Sequence, residues 1–375
     1  MVRQNGWRLE RLMEWNHPVM LALRTGVFAA GAYLVAYTVL SGIRIFVLPR
    51  PARVLIFRLV FVNIRRLFDI FALRTSSYEA RDRAMAMYAP IALFFMPIVL
   101  MGLVLGGFMA IYWALSPLSV IESFKLSGSA LFTLGSFTND APLLMVFEFG
   151  EALLGMILVA LLIAYLPTMY SAFTRRETLV QLLEVRAGTP PSPWELIARS
   201  HRTGELPDMK DFWHDWHVWF AEIEESHTSL AALAFFRSPR PELSWVTAGG
   251  VVLDAAALLL STVDLPREPR AAFCIRSGYL ALRQIASFFQ VRYNDDPKPD
   301  DPISIDRHEF DAACAYLAQT GVPLVSDLDQ AWRDFRGWRV NYDTVLIALA
   351  TLTMAPYAPW SSDRSAAGTH AWQLK

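Results

Sequence analysis

The chain has 375 residues, of which 54% are hydrophobic and 18% charged. This apolar content exceeds the ~45–50% typical of soluble domains, so we expect part of the chain to lie in a lipid bilayer. Its 34 basic and 35 acidic side chains give a net charge of −1, which argues against a basic nucleic-acid-binding protein and an acidic disordered one. Cys274 and Cys314 are too few for a disulfide framework and are not spaced as zinc ligands, which argues against a secreted protein.

Three long runs without a charged residue lie in the first half of the chain, at residues 25–43, 84–121 and 152–174. A helix needs about 20 apolar residues to cross a bilayer, so the runs predict three transmembrane helices. No cleavage site of small residues follows the first run, and we expect it to be a retained span rather than a signal peptide. We expect the residues after Arg175 to form a soluble helical domain.

The arginines predict the orientation of these spans. Nine arginines lie between the first and second runs, whereas four precede the first run. Because arginine-rich connections stay on the cytoplasmic side, we expect this connection and the C-terminal domain in the cytoplasm and the N-terminus outside. The chain is therefore predicted to be a multi-pass protein of the inner (plasma) membrane.

Residues 54–72 form an amphipathic segment with two possible positions. Its charges, Arg58, Arg65, Arg66 and Asp69, share one stripe of a helix, and its other faces are apolar. As an additional span the segment would bury these charges at about 2.5–3.5 kcal/mol each. A helix lying on the lipid of the inner leaflet fits the pattern better.

A short apolar stretch at residues 119–134 lies between the second and third runs and is followed by a small-and-polar segment up to Asp140. The stretch is too short to cross the membrane and return. Non-helical backbone at membrane depth is tolerated only beside protein or a water-filled cavity, so the pattern predicts a re-entrant loop. Backbone carbonyl groups in such a loop can replace the hydration shell of an ion.

The order of span, short helix, polar loop and span over residues 84–172 resembles the pore module of the tetrameric potassium-channel superfamily. Thr133, Leu134 and Gly135 resemble the first half of that family's Thr-Val-Gly-Tyr-Gly-Asp filter, and Asp140 resembles its closing acid. The whole layout also resembles bacterial proteins catalogued as potassium-channel-like. The segment between these residues departs from the family pattern, with Ser136, Phe137, Thr138 and Asn139 in place of Tyr-Gly.

The resemblance implies a homotetramer that conducts monovalent cations, with residues 133–140 as its selectivity filter. Loss of the second filter glycine, whose free backbone normally turns carbonyl groups toward the axis, implies weak discrimination between potassium and sodium. The acids Glu122, Asp140 and Glu148 outnumber the single base, Lys125, in the outer connection, which favours cations at the entrance. The alternative interpretation is an ordinary external loop.

Glu148 and Glu151 lie three residues apart, near the predicted outer end of the third span. We expect these carboxylates to support the loop through Lys125 or through a hydroxyl of Ser127, Ser129 or Thr133. The alternative is that both reach headgroup water. Further along the same span, Gly155 and Pro167 are the candidate gate or hinge positions, with close packing or a simple bend as the alternative.

The C-terminal part predicts one helical domain without a catalytic motif. Residues 245–262 are apolar, but Asp254 at their centre favours a buried helix over a fourth span. Asp306 and Glu309 predict a capping box that opens a helix. His214 and His217 could hold a divalent metal beside nearby acids, but their spacing matches no metal motif, and a solvated face is the preferred interpretation.

Together these patterns predict an all-α integral membrane protein with three transmembrane helices, a re-entrant pore loop and a C-terminal cytoplasmic helical domain. The predicted division is an N-terminal segment with the first span (1–50), an amphipathic helix and connection (51–83), a pore module (84–174) and the cytoplasmic domain (175–375). The predicted function is cation conduction; the competing hypothesis is a membrane-anchored helical sensor or binding protein. No enzyme activity, metal, cofactor or nucleic-acid partner is expected.

Overall fold

The structure is a computed structural model that describes residues 18–48, 54–72 and 77–364, except for the side chain of Phe71. The described residues form thirteen α-helices and three short 3₁₀ helices, and their only β-type pairing is an isolated bridge between Val263 and Leu324. The α-helices are α1 (Pro18–Phe46), α2 (Leu55–Ala72), α3 (Tyr78–Ala86), α4 (Tyr88–Leu115), α5 (Val120–Leu131), α6 (Pro142–Ala187), α7 (Pro193–Arg202), α8 (Lys210–Ser229), α9 (Trp245–Thr262), α10 (Pro269–Phe288), α11 (Arg307–Gln319), α12 (Leu328–Arg339) and α13 (Asp343–Thr353). Six of the arginines that predict the orientation of the spans lie outside the described residues: Arg3, Arg8, Arg11, Arg50, Arg53 and Arg74.

Four stretches of helix in the described residues are long and apolar enough to cross a membrane: α1, α3 with α4, α6 and α9. The first three contain all or most of the three uncharged runs of the sequence. They differ from α9 in burial, because 89% of the apolar window of α9 is buried against 6–39% for the others. The protein is therefore all-helical, with several helices of membrane-spanning length.

The chain packs as two compact units. The first comprises the described residues up to Leu67 together with Pro90–Thr168, and the second comprises Phe68–Ala89 together with the residues from Met169 onwards. The predicted connection at residues 51–83 is thus divided between the two units. An ion pair explains the division, because Arg237 Nη1 lies 2.6 Å from Asp82 Oδ1 and its Nη2 donates to the carbonyl oxygen of Thr353.

In the first unit, α1 and α4 approach closely where both carry glycine. A Cβ atom on Gly31 would lie 2.7 Å from the carbonyl oxygen of Gly107, and one on Gly107 would lie 2.6 Å from a methyl carbon of Val35. Small residues that let helix backbones approach are typical of helix pairs in membranes. Arg24 also joins the two helices by donating to the carbonyl oxygens of Trp113 and Ser116.

The second unit is built around α9. Asp254, at the middle of this helix, is fully buried and accepts hydrogen bonds from Arg339 at 2.5 and 2.6 Å and from the Tyr342 hydroxyl at 2.9 Å. The charge that argued against a fourth span is thus neutralised inside a folded domain. Cys274 and Cys314 are also buried in this unit and are not bonded to each other.

Helix α8 adds an aromatic face to the same core, with Trp213, Trp216 and Trp219 all fully buried. The predicted capping box is confirmed: the Asp306 carboxylate accepts from the Glu309 amide, and the Glu309 carboxylate accepts from the Asp306 amide. A cap of this kind satisfies amide groups that the first helical turn leaves without partners.

Candidate functional site

The short helix α5 begins at a capping box that the sequence analysis did not single out. Ser119 accepts a hydrogen bond from the Glu122 amide at 3.3 Å, and the Glu122 carboxylate accepts from the Ser119 amide at 2.7 Å. The helix has 12 residues. At 1.5 Å per residue it extends ~18 Å, which is too short to cross a hydrocarbon core of ~30 Å.

The C-terminal end of α5 forms a Schellman motif at Thr133. The Leu134 amide donates to the carbonyl oxygen of Ser129 at 2.8 Å, and the Thr133 amide donates to that of Ala130 at 3.0 Å. Thr133 itself has φ +54°, the left-handed conformation for which glycine is the usual residue at this position. The first residue of the candidate filter therefore also ends the helix before it.

Glu151 joins three helices in the first unit. Its buried carboxylate accepts from the Tyr112 hydroxyl on α4 at 2.8 Å and from the Ser127 hydroxyl on α5 at 2.5 Å. The Ser127 hydroxyl also lies 3.0 Å from the carbonyl oxygen of Leu105. A buried carboxylate with two hydroxyl partners fixes α5 between the two long helices, because each lost contact would leave a polar group without a partner.

The segment after α5 is held at two further points. The Phe137 amide donates to the Ser129 hydroxyl at 3.0 Å, and the Asn139 amide donates to the Glu148 carboxylate at 3.2 Å. Glu148 is 9% exposed, so this carboxylate faces the loop and not open solvent. Ser129 and Glu148 thus fix the loop to the helices on either side of it.

The remaining groups of the loop lie at the surface of the unit. Half-buried Phe137 packs against the core formed by α4, α5 and α6, and Asn139 is half-buried as well. The exposed residues are Thr133, Leu134, Gly135, Ser136, Thr138 and Asp140. The candidate filter thus exposes the polar side chains of Thr133, Ser136, Thr138 and Asp140, together with the apolar Leu134, between two long apolar helices.

Lys125 is exposed. The Glu151 carboxylate accepts from Tyr112 and Ser127, and the Glu148 carboxylate accepts from the Asn139 amide. The structure therefore places Lys125 apart from the support that we expected it to provide. Tyr112 provides part of that support in its place. Its hydroxyl within an otherwise apolar run was the signal that could have identified it in the sequence.

Gly155 is a packing position in the structure. A Cβ atom at this glycine would lie 2.4 Å from the carbonyl oxygen of Leu131, the last residue of α5. Pro167 is exposed and lies within α6, which continues without interruption from Pro142 to Ala187. Gly155 therefore allows α6 to contact the end of α5 directly.

In the second unit, the C-terminal part of α6 is fixed by Arg176, whose side chain is 1% exposed. Its guanidinium donates to the carbonyl oxygens of Leu233 and Phe236, each at 2.8 Å, and pairs with Glu177 at 2.7 Å. Nη1 also lies 3.3 Å from Nε2 of the buried His227. We refer to these contacts as the Arg176 anchor.

A groove of about 400 Å³ lies beside this anchor, between α6 and α8. Its lining is mainly apolar and carries the charged or titratable residues Arg175, His217, Glu222 and Glu225. His214 is exposed, and the described residues contain no group of three or more side chains placed to hold a metal ion.

The chemistry available to the site in the first unit is the coordination of ions. The site fixes a polar loop of backbone carbonyl groups and hydroxyls at the end of a short helix, an arrangement that can coordinate cations. No protein-family model, curated protein or solved structure matches the chain.

Proposed function

We propose that this chain is one subunit of a homotetrameric channel for monovalent cations. Helix α4 is the outer helix, α6 the inner helix, and α5 with residues 133–140 the re-entrant pore loop. The single observation that carries the proposal is the buried Glu151, which ties α5 to both long helices through Tyr112 and Ser127. A loop that only connected two spans outside the membrane would not need a buried polar network to hold it.

The exposed polar loop supports assembly around an axis. Thr133, Ser136 and Thr138 lie at the surface of an isolated chain, and lipid cannot satisfy their polar groups. Several copies around a common axis would place these groups toward water and ions. One loop per chain cannot enclose a pore, so closure needs copies related by rotational symmetry.

Two features support cation preference with weak selectivity. Asp140 is exposed at the end of the loop, and symmetry would repeat this acid around the entrance. The segment has positive φ at Gly135 but has no second glycine before Asp140. We therefore propose modest discrimination between potassium and sodium.

The membrane arrangement is part of the same proposal. Helices α1, α4 and α6 cross the inner membrane, α2 lies on lipid of the inner leaflet, and the domain after Arg175 lies in the cytoplasm. We do not count α9 as a span, and the burial of 89% of its apolar window inside the second unit supports this choice. The arginines between the first two spans support this orientation.

Ion flux from liposomes tests the proposal. Purified chain reconstituted with a potassium gradient should release potassium, and its mass in detergent should be four times that of one chain. Glu151→Leu removes both hydrogen-bond acceptors behind the loop and should abolish flux, whereas Glu151→Gln keeps an acceptor and should retain part of it. A monomer without flux at any pH, voltage or lipid composition would refute the proposal.

The groove between α6 and α8 favours a second candidate function, a membrane-anchored sensor or binding protein. Its volume of about 400 Å³ suits a small molecule, and it combines apolar surface with Arg175 and two acids. Under this hypothesis the purified chain would bind a small ligand in the groove without passing ions. Ligand binding that is lost with Arg175→Ala, in a protein without flux, would favour the sensor.

A further inference from the structure

The Arg176 anchor contains one side chain whose charge can change near neutral pH. His227 is fully buried, and its Nε2 lies 3.3 Å from Nη1 of Arg176. Every nitrogen of a guanidinium is a donor, so Nε2 must carry no proton in order to accept from Arg176. The geometry alone therefore requires a neutral imidazole at this position.

Among the other neighbours of His227, only the backbone carbonyl group of Ile223 favours a positive charge, and its effect on the pKa is smaller than that of burial or of Arg176. Nδ1 lies 3.2 Å from the Ser226 hydroxyl, and the imidazole ring lies 4.6 Å from the ring of Trp245 on α9. Arg176 is the charged group that acts on it, and Glu177 is already paired with Arg176. Burial, and then the charge of Arg176, hold the pKa of His227 well below its usual value of 6.5.

A proton on Nε2 would break this arrangement. It would place two N–H donors against each other and add a second cation to a fully buried site. The anchor then relaxes when the hydrogen bonds from Arg176 to the carbonyl oxygens of Leu233 and Phe236 break. Arg176 lies two residues after the uncharged run 152–174, so its release frees the cytoplasmic end of a membrane helix.

We propose that His227 is a proton-binding site that controls whether α6 stays fixed to the cytoplasmic domain. In the form with α6 fixed, the imidazole of His227 stays neutral, whereas in the released form its pKa returns to the ordinary value for an imidazole. The fixed form is therefore fully favoured above pH 6.5 and loses population as the pH falls, by up to tenfold for each pH unit below 6.5. A change in channel opening with pH would follow; this consequence and the cytoplasmic location of the second unit rest on the proposed function.

Hydrogen exchange of the full chain in nanodiscs tests the proposal between pH 7.5 and 5.5, with rates corrected for the intrinsic effect of pH. We expect the corrected exchange of amides at residues 172–180 and 230–236 to rise about tenfold between pH 7.5 and 5.5. His227→Gln keeps an acceptor oxygen but cannot be protonated, so its exchange should not change with pH. His214→Gln, on the exposed face of the same helix, is the matched control and should behave as the unaltered protein.

Two results would overturn the proposal: no pH-dependent rise in the unaltered protein, or the same rise in His227→Gln. If the glutamine variant cannot be purified, His227→Asn provides a second neutral side chain with the same expectation. Exchange does not depend on ion flux. If exchange near the Arg176 anchor depends on pH but the protein passes no ions, the channel hypothesis is rejected and the proton site is kept. If the protein passes ions but exchange does not depend on pH, only the proton site is rejected.

Discussion

Substitution of Gly155 by alanine probes how closely α6 packs on the end of α5. The added Cβ atom would lie 2.4 Å from the carbonyl oxygen of Leu131, whereas carbon and oxygen in contact normally stay ~3.3 Å apart. The end of α5 must therefore move by about 1 Å, and overpacking of this kind costs about 1–3 kcal/mol. Because Thr133 follows two residues after Leu131, the candidate filter moves with it.

Gly150 offers a matched control on the same helix, because a Cβ atom there meets no other atom within 4 Å. Thermal unfolding in detergent should show a lower midpoint for Gly155→Ala than for Gly150→Ala, and ion flux should fall only for the former. Alanine also favours a helix over glycine by up to ~1 kcal/mol, which makes the control neutral or slightly stabilising. Equal midpoints for the two variants would refute the close contact between α6 and α5.

Three further substitutions test the polar groups of the two units. Glu151→Leu leaves the buried Tyr112 hydroxyl without its acceptor, at about 1–3 kcal/mol, and leaves Ser127 with only the Leu105 carbonyl oxygen, so it should lower the thermal midpoint in detergent more than Glu151→Gln does; equal midpoints would contradict the network. Asp140→Asn should reduce single-channel conductance severalfold in 10 mM salt and little in 1 M salt, because screening shortens from ~30 to ~3 Å over this range; equal conductance at both concentrations would remove Asp140 from the ion path. Arg339→Met leaves the buried Asp254 without its counter-ion and should reduce the stability of the second unit by about 3–5 kcal/mol in urea unfolding followed by tryptophan fluorescence; the added substitution Asp254→Leu should restore part of this loss, because Asp343 and the Tyr342 hydroxyl still lack a partner. A double variant no more stable than Arg339→Met would show that the loss comes from packing and not from the stranded charge.

The helices of membrane-spanning length could be predicted from the sequence because an uncharged run is a local property. Each of the runs at residues 25–43, 84–121 and 152–174 lies largely within one helix. Asp254 allowed a buried helix to be distinguished from a span, because a charge inside an apolar segment needs a partner. The partner itself, Arg339, could not be predicted, since it lies 85 residues away.

The support of the loop was only partly predictable. Two carboxylates three residues apart indicated that α6 holds the loop, and Ser127 was one of the candidate partners. Tyr112 was not: its hydroxyl stands out in an apolar run, but the carboxylate that it meets depends on how α4 and α6 pack. The Schellman motif at Thr133 was hidden for another reason: a threonine with positive φ is uncommon, and glycine is the signal that normally marks such an end.

Burial of both native cysteines has a practical consequence for experiments on the exposed loop. Burial raises the pKa of Cys314 to about 12, so its reactive thiolate fraction at pH 7 is on the order of 10⁻⁵, against a few per cent for an ordinary exposed cysteine. Burial raises the pKa of Cys274 as well. A cysteine introduced at an exposed position of residues 133–140 would therefore have a thiolate fraction roughly a thousand times that of either native thiol. Thiol-reactive probes can thus map this loop residue by residue in the otherwise unaltered chain.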